Sequence, residues 1–156
     1  MKAVLYVLTH TRYVTITGVL LAILYFRSFH LIYFTCGAIF TTIEAKILKR
    51  IIKQPRPDSN RLRNKTTYGM PSSHSQAISF FATYFQQVAL CLSPKCMLGI
   101  PPNVFALLLD LFSFSVIWSR VYLGHHTKSQ VFVGTALGIT SALGWFRLWQ
   151  TYFQMQ

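Results

Sequence analysis

Long runs of residues without a charged side chain constrain the fold of this chain more than any other feature. The last of them, residues 129–146, has 18 uncharged residues and is closed by Arg147. A helix needs about 20 residues to cross the hydrocarbon core of a bilayer. We therefore expect an all-α, polytopic membrane helical bundle, a single domain over residues 1–156, built from five segments: residues 13–26, 28–43, 72–92, 97–119 and 129–146.

The ends of these segments carry local signals. Residues 13–26 give only 14 uncharged positions, which is short for a full crossing. The second segment is expected to continue as a basic helix to about Gln54, because Pro55 and Pro57 follow and cannot extend it. Ser72 is a good helix cap at the start of the third segment. Residues 58–67 are polar and basic, so they predict a loop outside the hydrocarbon.

Small residues recur along the last segment at helical spacing, which is typical of close packing between membrane helices. They are Gly134, Gly138, Ser141 and Gly144.

The composition supports a membrane protein and not a nucleic-acid-binding one. Hydrophobic residues make up 53% of the chain and charged residues 12%, against about 25% charged in soluble domains. The net charge of +12 then favours anionic lipid head groups or phosphate substrates as partners. Cys36, Cys91 and Cys96 show no metal spacing, and a Cys91–Cys96 disulfide stays open. Arg12 interrupts the first apolar run, so we expect no cleavable signal peptide.

Three short polar fragments lie between the apolar segments and together predict one phosphate-handling site. If the last four segments cross the membrane in turn, all three fragments meet at one membrane face. The fragments are Lys49 with Arg56-Pro57, then Pro71-Ser72-Ser73-His74, then Ser119-Arg120 with His126.

The cations and the Ser-Ser-His fragment suit a phosphoryl group. Guanidinium groups bind phosphate oxygens in pairs, and the amides at a helix N-terminus favour an anion. We expect Lys49, Arg56 and Arg120 to bind phosphate together with Ser72 and Ser73, and His74 to act as general acid. Taken singly, the three cations are typical of basic residues that flank a membrane span, and Ser72 is typical of an ordinary helix cap.

A neutral histidine can attack phosphorus and form a phosphohistidine, which splits one hard displacement into two easier ones. The spacing from Arg120 favours His126 as this nucleophile, with His125 as the competing candidate. We interpret His10 and His30 as interfacial residues. Asp110 lies roughly 14 Å along a helix from the site face, so we leave it out of the site and expect a partner within the bundle.

At these residues the chain resembles the type 2 phosphatidic acid phosphatase (PAP2) superfamily. That superfamily shows Lys, six residues, Arg-Pro, then Pro-Ser-Gly-His, then Ser-Arg, five residues, His, three residues, Asp. This sequence matches with Lys49 and Arg56, with Ser73 in place of the Gly, and with Arg120 and His126. The resemblance implies a haloperoxidase-like helical core, no metal or other cofactor, His126 as nucleophile and His74 as acid.

One position departs from the superfamily pattern, because its last Asp is Gln130 here. His126 and Gln130 are four residues apart and share a face if helical, so a Gln carbonyl can orient the imidazole without adding charge. One interpretation is an inactive relative. The other is the dolichyl diphosphatase branch, which is similar in carrying Gln there and in the strings around residues 68–76 and 119–131.

That branch implies hydrolysis of dolichyl diphosphate to dolichyl phosphate and phosphate, recycling the carrier of N-glycosylation. The partners are then a polyprenyl diphosphate and the membrane, with no nucleic acid, and the sequence leaves the oligomeric state open. The alternatives are a phosphatase for phosphatidate, sphingoid phosphates or undecaprenyl diphosphate, and a silent protein that binds anionic lipid.

The family resemblance and the distribution of charge disagree about the membrane side of the site. The resemblance implies the endoplasmic reticulum with a lumenal site, and we follow it because the branch match is more specific than a count of charges. The expected spans, however, put 12 of the 15 basic residues on the site face, which favours a cytoplasmic site.

Overall fold

Four long helices make up most of the described chain. A computed structural model describes residues 17–18, 20–21, 23–25, 27–57, 68–91 and 100–153. The helices are α1 (Phe29–Ile52), α2 (Ser73–Cys91), α3 (Pro102–Tyr122) and α4 (Lys128–Phe153). The predicted all-α helical bundle is therefore confirmed. The described residues between 17 and 25 are also helical, whereas the expected loop at 58–67, His10 and Cys96 lie outside the described residues.

The local sequence explains where the helices begin and end. Lys53 adopts a left-handed conformation (φ 51°) and its amide bonds the Lys49 carbonyl, which ends α1 at Ile52, two residues before the predicted end. The Ser72 hydroxyl accepts from the Ser75 amide at 3.4 Å, so Ser72 caps α2 as predicted. α3 starts with Pro102 at its first position, where a missing N–H costs nothing.

Consecutive helices run antiparallel around α2, which packs against each of the other three. At the end of the bundle away from the polar fragments, Trp149 of α4 stacks on His30 near the start of α1, with 4.2 Å between ring centroids. Asp110 of α3 accepts a hydrogen bond from the Gln86 amide of α2 at 2.6 Å, which supplies the expected partner within the bundle. The core between α1, α2 and α4 consists of four aromatic residues and one alanine: Phe34, Phe80, Tyr84, Phe146 and Ala142.

Two of the small residues of α4 allow its backbone to touch that of α2. A Cβ on Gly134 would lie 2.5 Å from the Ser72 carbonyl oxygen, and one on Gly138 would overlap the Gln76 carbonyl. The predicted close packing is thus confirmed at these two positions. At Gly144 a Cβ would meet nothing within 4 Å in the described part of the chain, so close packing there stays a prediction.

Three helices, α1, α3 and α4, are long and apolar enough to cross a membrane, by length and composition. α2 is more polar because it is the central helix, and Ser75, Gln76 and Ser79 are buried on it. α3 instead exposes its large apolar side chains, as expected of a surface that faces lipid: Leu107, Leu108, Leu111, Phe112, Phe114 and Trp118.

Candidate active site

The site forms where the end of α1, the start of α2, the end of α3 and the start of α4 meet. The Ser72 amide donates to the Gln130 carbonyl oxygen at 3.0 Å, which joins the starts of α2 and α4. The Gly69 amide donates to the Gln54 carbonyl at 2.8 Å, which joins the segment before α2 to the end of α1. The structure therefore brings the three polar fragments to one end of the bundle.

His126 lies in the short turn between α3 and α4 and is 4% exposed. The turn is possible because Gly124 adopts a positive φ of 65°, which costs glycine little. The amides of His125 and His126 both donate to the Arg120 carbonyl, at 3.0 and 3.2 Å. The backbone therefore fixes His126 relative to the end of α3.

Gln130 orients the His126 ring. The His126 Nδ1 lies 3.2 Å from the Gln130 Oε1. That oxygen also accepts from the Thr127 amide at 3.2 Å, and the Gln130 Nε2 donates to the Pro55 carbonyl at 2.8 Å. These two backbone partners fix which end of the amide is oxygen. Because an amide oxygen only accepts, Nδ1 carries the proton and Nε2 keeps its lone pair.

The imidazole of His126 is held neutral. Burial lowers its pKa from the ordinary 6.5 to about 3, and the positive charges of Arg56 and Lys49 act in the same direction. Hydrogen bonds with Gln130 and the Gly69 backbone oppose this shift without cancelling it. A neutral imidazole nitrogen at physiological pH is the form that can attack phosphorus.

Three cationic side chains surround this region. The Lys49 Nζ donates to the Ser73 hydroxyl at 3.2 Å, and an Arg56 Nη1 donates to the His125 carbonyl at 3.4 Å. Arg120 is 3% exposed, with its Nε donating to the Ser119 hydroxyl at 3.2 Å. Burial lowers the pKa of Arg56, but a guanidinium stays charged in proteins. Buried positive charge of this kind attracts a multiply charged anion.

The start of α2 supplies the remaining predicted residues. Ser73 and His74 are half-buried in its first turn, whereas Ser72 is fully buried beneath it. The Ser72 hydroxyl accepts from the Ser75 hydroxyl at 2.9 Å. Ser72 therefore acts here as the helix cap, and its donation to phosphate stays a prediction.

Two residues that hold this site together were missed by the sequence reasoning. The Gln54 Oε1 accepts from the Gln130 Nε2 at 3.2 Å, and a Cβ on Gly69 would lie 2.6 Å from the Gln130 amide. Only Gly69 had a signal in the sequence, as a glycine next to the Pro-Ser-Ser-His fragment.

Among the described residues, no three His, Cys, Asp or Glu side chains form a group that could hold a metal ion.

Comparison with known proteins gives a family match over most of the chain. The model of the PAP2 superfamily matches residues 29–154. Dolichyldiphosphatase 1 of Dictyostelium discoideum is 34% identical over 137 residues, which cover 88% of this chain and 60% of that protein. Dolichyldiphosphatase of Saccharomyces cerevisiae is 40% identical over 116 residues, 70% of this chain and 48% of the relative.

Another relative carries a broader name, lipid phosphate phosphatase gamma of Arabidopsis thaliana, with 34% identity over 86% of this chain and 60% of the relative. The chain thus spans between about half and three fifths of the length of these curated relatives.

A solved structure shares the fold. The transmembrane PAP2-type phosphatidylglycerolphosphate phosphatase of Bacillus subtilis matches with a TM-score of 0.82 and 18% identity, covering 99% of this chain and 79% of that one. With its three span-length apolar helices, this chain is an integral membrane protein.

Proposed function

This chain belongs to the PAP2 superfamily, and we propose that it is a lipid diphosphate phosphatase that converts dolichyl diphosphate to dolichyl phosphate and inorganic phosphate. One observation carries the proposal: the His126 Nδ1 is bonded to the Gln130 Oε1 at 3.2 Å, so Nε2 is left as a neutral nucleophile. The cations Lys49, Arg56 and Arg120 gathered around it suit a substrate of high negative charge.

In the first step the terminal phosphoryl group binds between the three cations and the first turn of α2, where the Ser73 amide points outward. The His126 Nε2 attacks the terminal phosphorus, and the bond from that phosphorus to the bridging oxygen breaks. The bridging oxygen leaves on dolichyl phosphate and takes a proton from His74, the general acid. The product of this step is a phosphohistidine at position 126.

In the second step water attacks the phosphohistidine. His74, now neutral, accepts a proton from the water, and the bond between phosphorus and Nε2 breaks as phosphate forms. The electron pair returns to His126, which is again neutral. In both steps Lys49, Arg56 and Arg120 stabilise the charge on the equatorial oxygens, so the proposed chemistry needs no metal.

The lipid part of the substrate fits the surroundings of the site. The apolar outer faces of the helices adjoin the polar end of the bundle, so a polyprenyl tail can stay in the bilayer while its diphosphate reaches His126. Two of the relatives above are named dolichyldiphosphatases. We place the enzyme in the endoplasmic reticulum with a lumenal site, where it would recycle the carrier used in N-glycosylation.

The test is phosphate release from dolichyl diphosphate by purified protein in detergent with EDTA present. Wild type should release phosphate and form an acid-labile phosphoenzyme, and His126→Ala should lose both, by about 10⁴-fold or more. His125→Ala is the matched control, because it removes a neighbouring imidazole and keeps the backbone carbonyl that binds Arg56. Phosphoenzyme formation that survives in His126→Ala and disappears in His125→Ala would reassign the nucleophile.

A second candidate function is hydrolysis of another lipid phosphate, which the broader name of the Arabidopsis thaliana relative favours. The same assay with phosphatidate, a sphingoid phosphate and undecaprenyl diphosphate separates these substrates. Release from none of them would leave a protein that binds anionic lipid without turnover.

A further inference from the structure

An acidic residue lies inside the bundle, beyond the residues assigned to the chemistry. Glu44 is one of only three acidic residues in the chain. It is half-buried on α1, and its Oε2 accepts from the Gln76 Nε2 at 2.8 Å and from the Ser141 hydroxyl at 3.1 Å. One carboxylate oxygen therefore joins α1 to both α2 and α4.

We propose that Glu44 is a positioning residue for the phosphatase reaction: with Gln76 and Ser141 it forms a polar clamp that sets α1, and hence Lys49, in register with the nucleophile. This inference rests on the proposed function. Glu44 itself would not touch the substrate.

The helices α2 and α4 are fixed to each other without Glu44. Their backbones touch at Gly138, where a Cβ would overlap the Gln76 carbonyl, and the Ser72 amide bonds the Gln130 carbonyl at 3.0 Å. These two helices carry His74 and, just before α4, His126.

Helix α1 is joined to them near its start, through Tyr33 and Trp145, and just after its end, through Gln54. Glu44 makes the connection between these two points, on the stretch of α1 that carries Lys49.

Glu44 makes this connection close to the site. Lys49 follows it by five residues on α1, about 7.5 Å along the axis, and Gln76 lies one turn after Ser73, the hydroxyl that Lys49 binds. Among the described residues, the Gln76 Oε1 has no hydrogen-bond partner, so the side chain of Gln76 is held through its bond to Glu44. Rotation or sliding of α1 would break the hydrogen bonds of Glu44 and would displace Lys49 at the same time.

The experiment replaces Glu44 in two ways and measures binding and turnover separately. Glu44→Leu removes both hydrogen bonds and puts an apolar side chain of similar volume in place of the carboxylate. We expect kcat on dolichyl diphosphate to fall about 10- to 100-fold, because a misplacement of about 1 Å can cost that much. Glu44→Gln should restore most of the activity, since its carbonyl oxygen can accept from both partners.

A matched control exists in the same bundle. Asp110→Leu removes another bond between a carboxylate and an amide, that with Gln86, and should leave kcat within about twofold of wild type because it lies far from Lys49 on α3. Gln76→Leu removes one of the two bonds, so it should lower kcat less than Glu44→Leu does. Adding it to Glu44→Leu should lower kcat no further, as expected for two partners in one interaction.

Orthovanadate, a tetrahedral phosphate analogue, provides a readout without turnover. Its dissociation constant, measured from protection against thermal unfolding, should rise about tenfold in Glu44→Leu and be unchanged in Asp110→Leu. If wild type binds vanadate but hydrolyses no lipid phosphate, the proposed function fails while the clamp is still tested by this constant.

The proposal is rejected if Glu44→Leu has the vanadate dissociation constant and the kcat of wild type. It is also rejected if Glu44→Gln is as impaired in both as Glu44→Leu. Should Glu44→Leu fail to fold, Ser141→Ala removes one arm of the clamp with less disturbance. It should then raise the vanadate dissociation constant by a few fold, and no rise would equally reject the proposal.

Discussion

At the scale of single residues, Gln130 connects more of the site than its sequence position suggests. Its oxygen accepts from His126 and from the Thr127 amide, and its nitrogen donates to Pro55 and Gln54. A carboxylate at this position could also accept from His126 and from the Thr127 amide. Its second oxygen, however, would face the Pro55 carbonyl oxygen, where the Gln130 nitrogen now donates. Gln130 thus orients His126, the proposed nucleophile, and fixes the segment that carries Arg56.

This arrangement predicts how the pH dependence changes in Gln130→Glu. A negative charge beside the imidazole favours its protonated form, so the pKa of His126 should rise above its value of about 3. The neutral nucleophile is then lost at a higher pH as the pH falls, and the acid limb of phosphoenzyme formation should move upward. The maximum rate should drop about 10- to 100-fold, because the bond to Pro55 is lost.

The measurement is the rate of phosphoenzyme formation between pH 4 and 8. Wild type, with a His126 pKa of about 3, should show no acid limb in this range, and Gln130→Glu should show one. Gln54→Leu is the matched control, since it removes one hydrogen bond of Gln130 without adding charge. It should lower the rate without bringing an acid limb into this range. Identical profiles for wild type and Gln130→Glu would mean that another group, and not His126, sets the acid limb.

At the scale of helices, the local sequence predicted where the helices begin and end. The contacts between helices depend on residues that are far apart in the chain. Ser72 capped α2 as expected, and Lys53 ended α1 within two residues of the predicted position. The bonds from Gln76 to Glu44 and from Gln130 to Gln54 span 32 and 76 positions. No periodicity or spacing indicates such pairs, because they exist only after the helices have packed.

The contact between α2 and α4 gives a prediction at this scale. Gly138→Ala would drive a methyl group into the Gln76 carbonyl, and such overpacking costs about 1–3 kcal/mol. Gly144→Ala adds the same methyl group where nothing lies within 4 Å in the described part of the chain. It should be neutral or stabilise α4 by up to about 1 kcal/mol, through better helix propensity.

Thermal unfolding in detergent compares the two variants, with a lower midpoint expected for Gly138→Ala alone. Gly138→Ala should also lose activity, because the close approach of α2 and α4 aligns His74 with His126. Equal midpoints for the two variants would show that these helices can separate without cost.

At the scale of the whole molecule, the charges and the proposed location give opposite orientations. The site end gathers Lys46, Lys49 and Arg50 on α1, followed by Lys53 and Arg56. By the positive-inside rule these charges favour the cytoplasm. The proposed phosphate-binding role of Lys49, Arg56 and Arg120 would explain their position by itself, so these three charges carry little information about topology. The orientation must therefore be tested at the opposite end of the bundle.

Cys91 provides that test. It ends α2, about 27 Å from Ser73 at the site, and is an exposed free thiol. With Cys36 and Cys96 changed to Ser, a membrane-impermeant maleimide should label Cys91 in sealed endoplasmic reticulum vesicles whose cytoplasmic face points outward, since a lumenal site puts this end in the cytoplasm. Cys91→Ser should abolish the signal. Labelling only after detergent is added would place the site on the cytoplasmic side, as the positive-inside rule indicates.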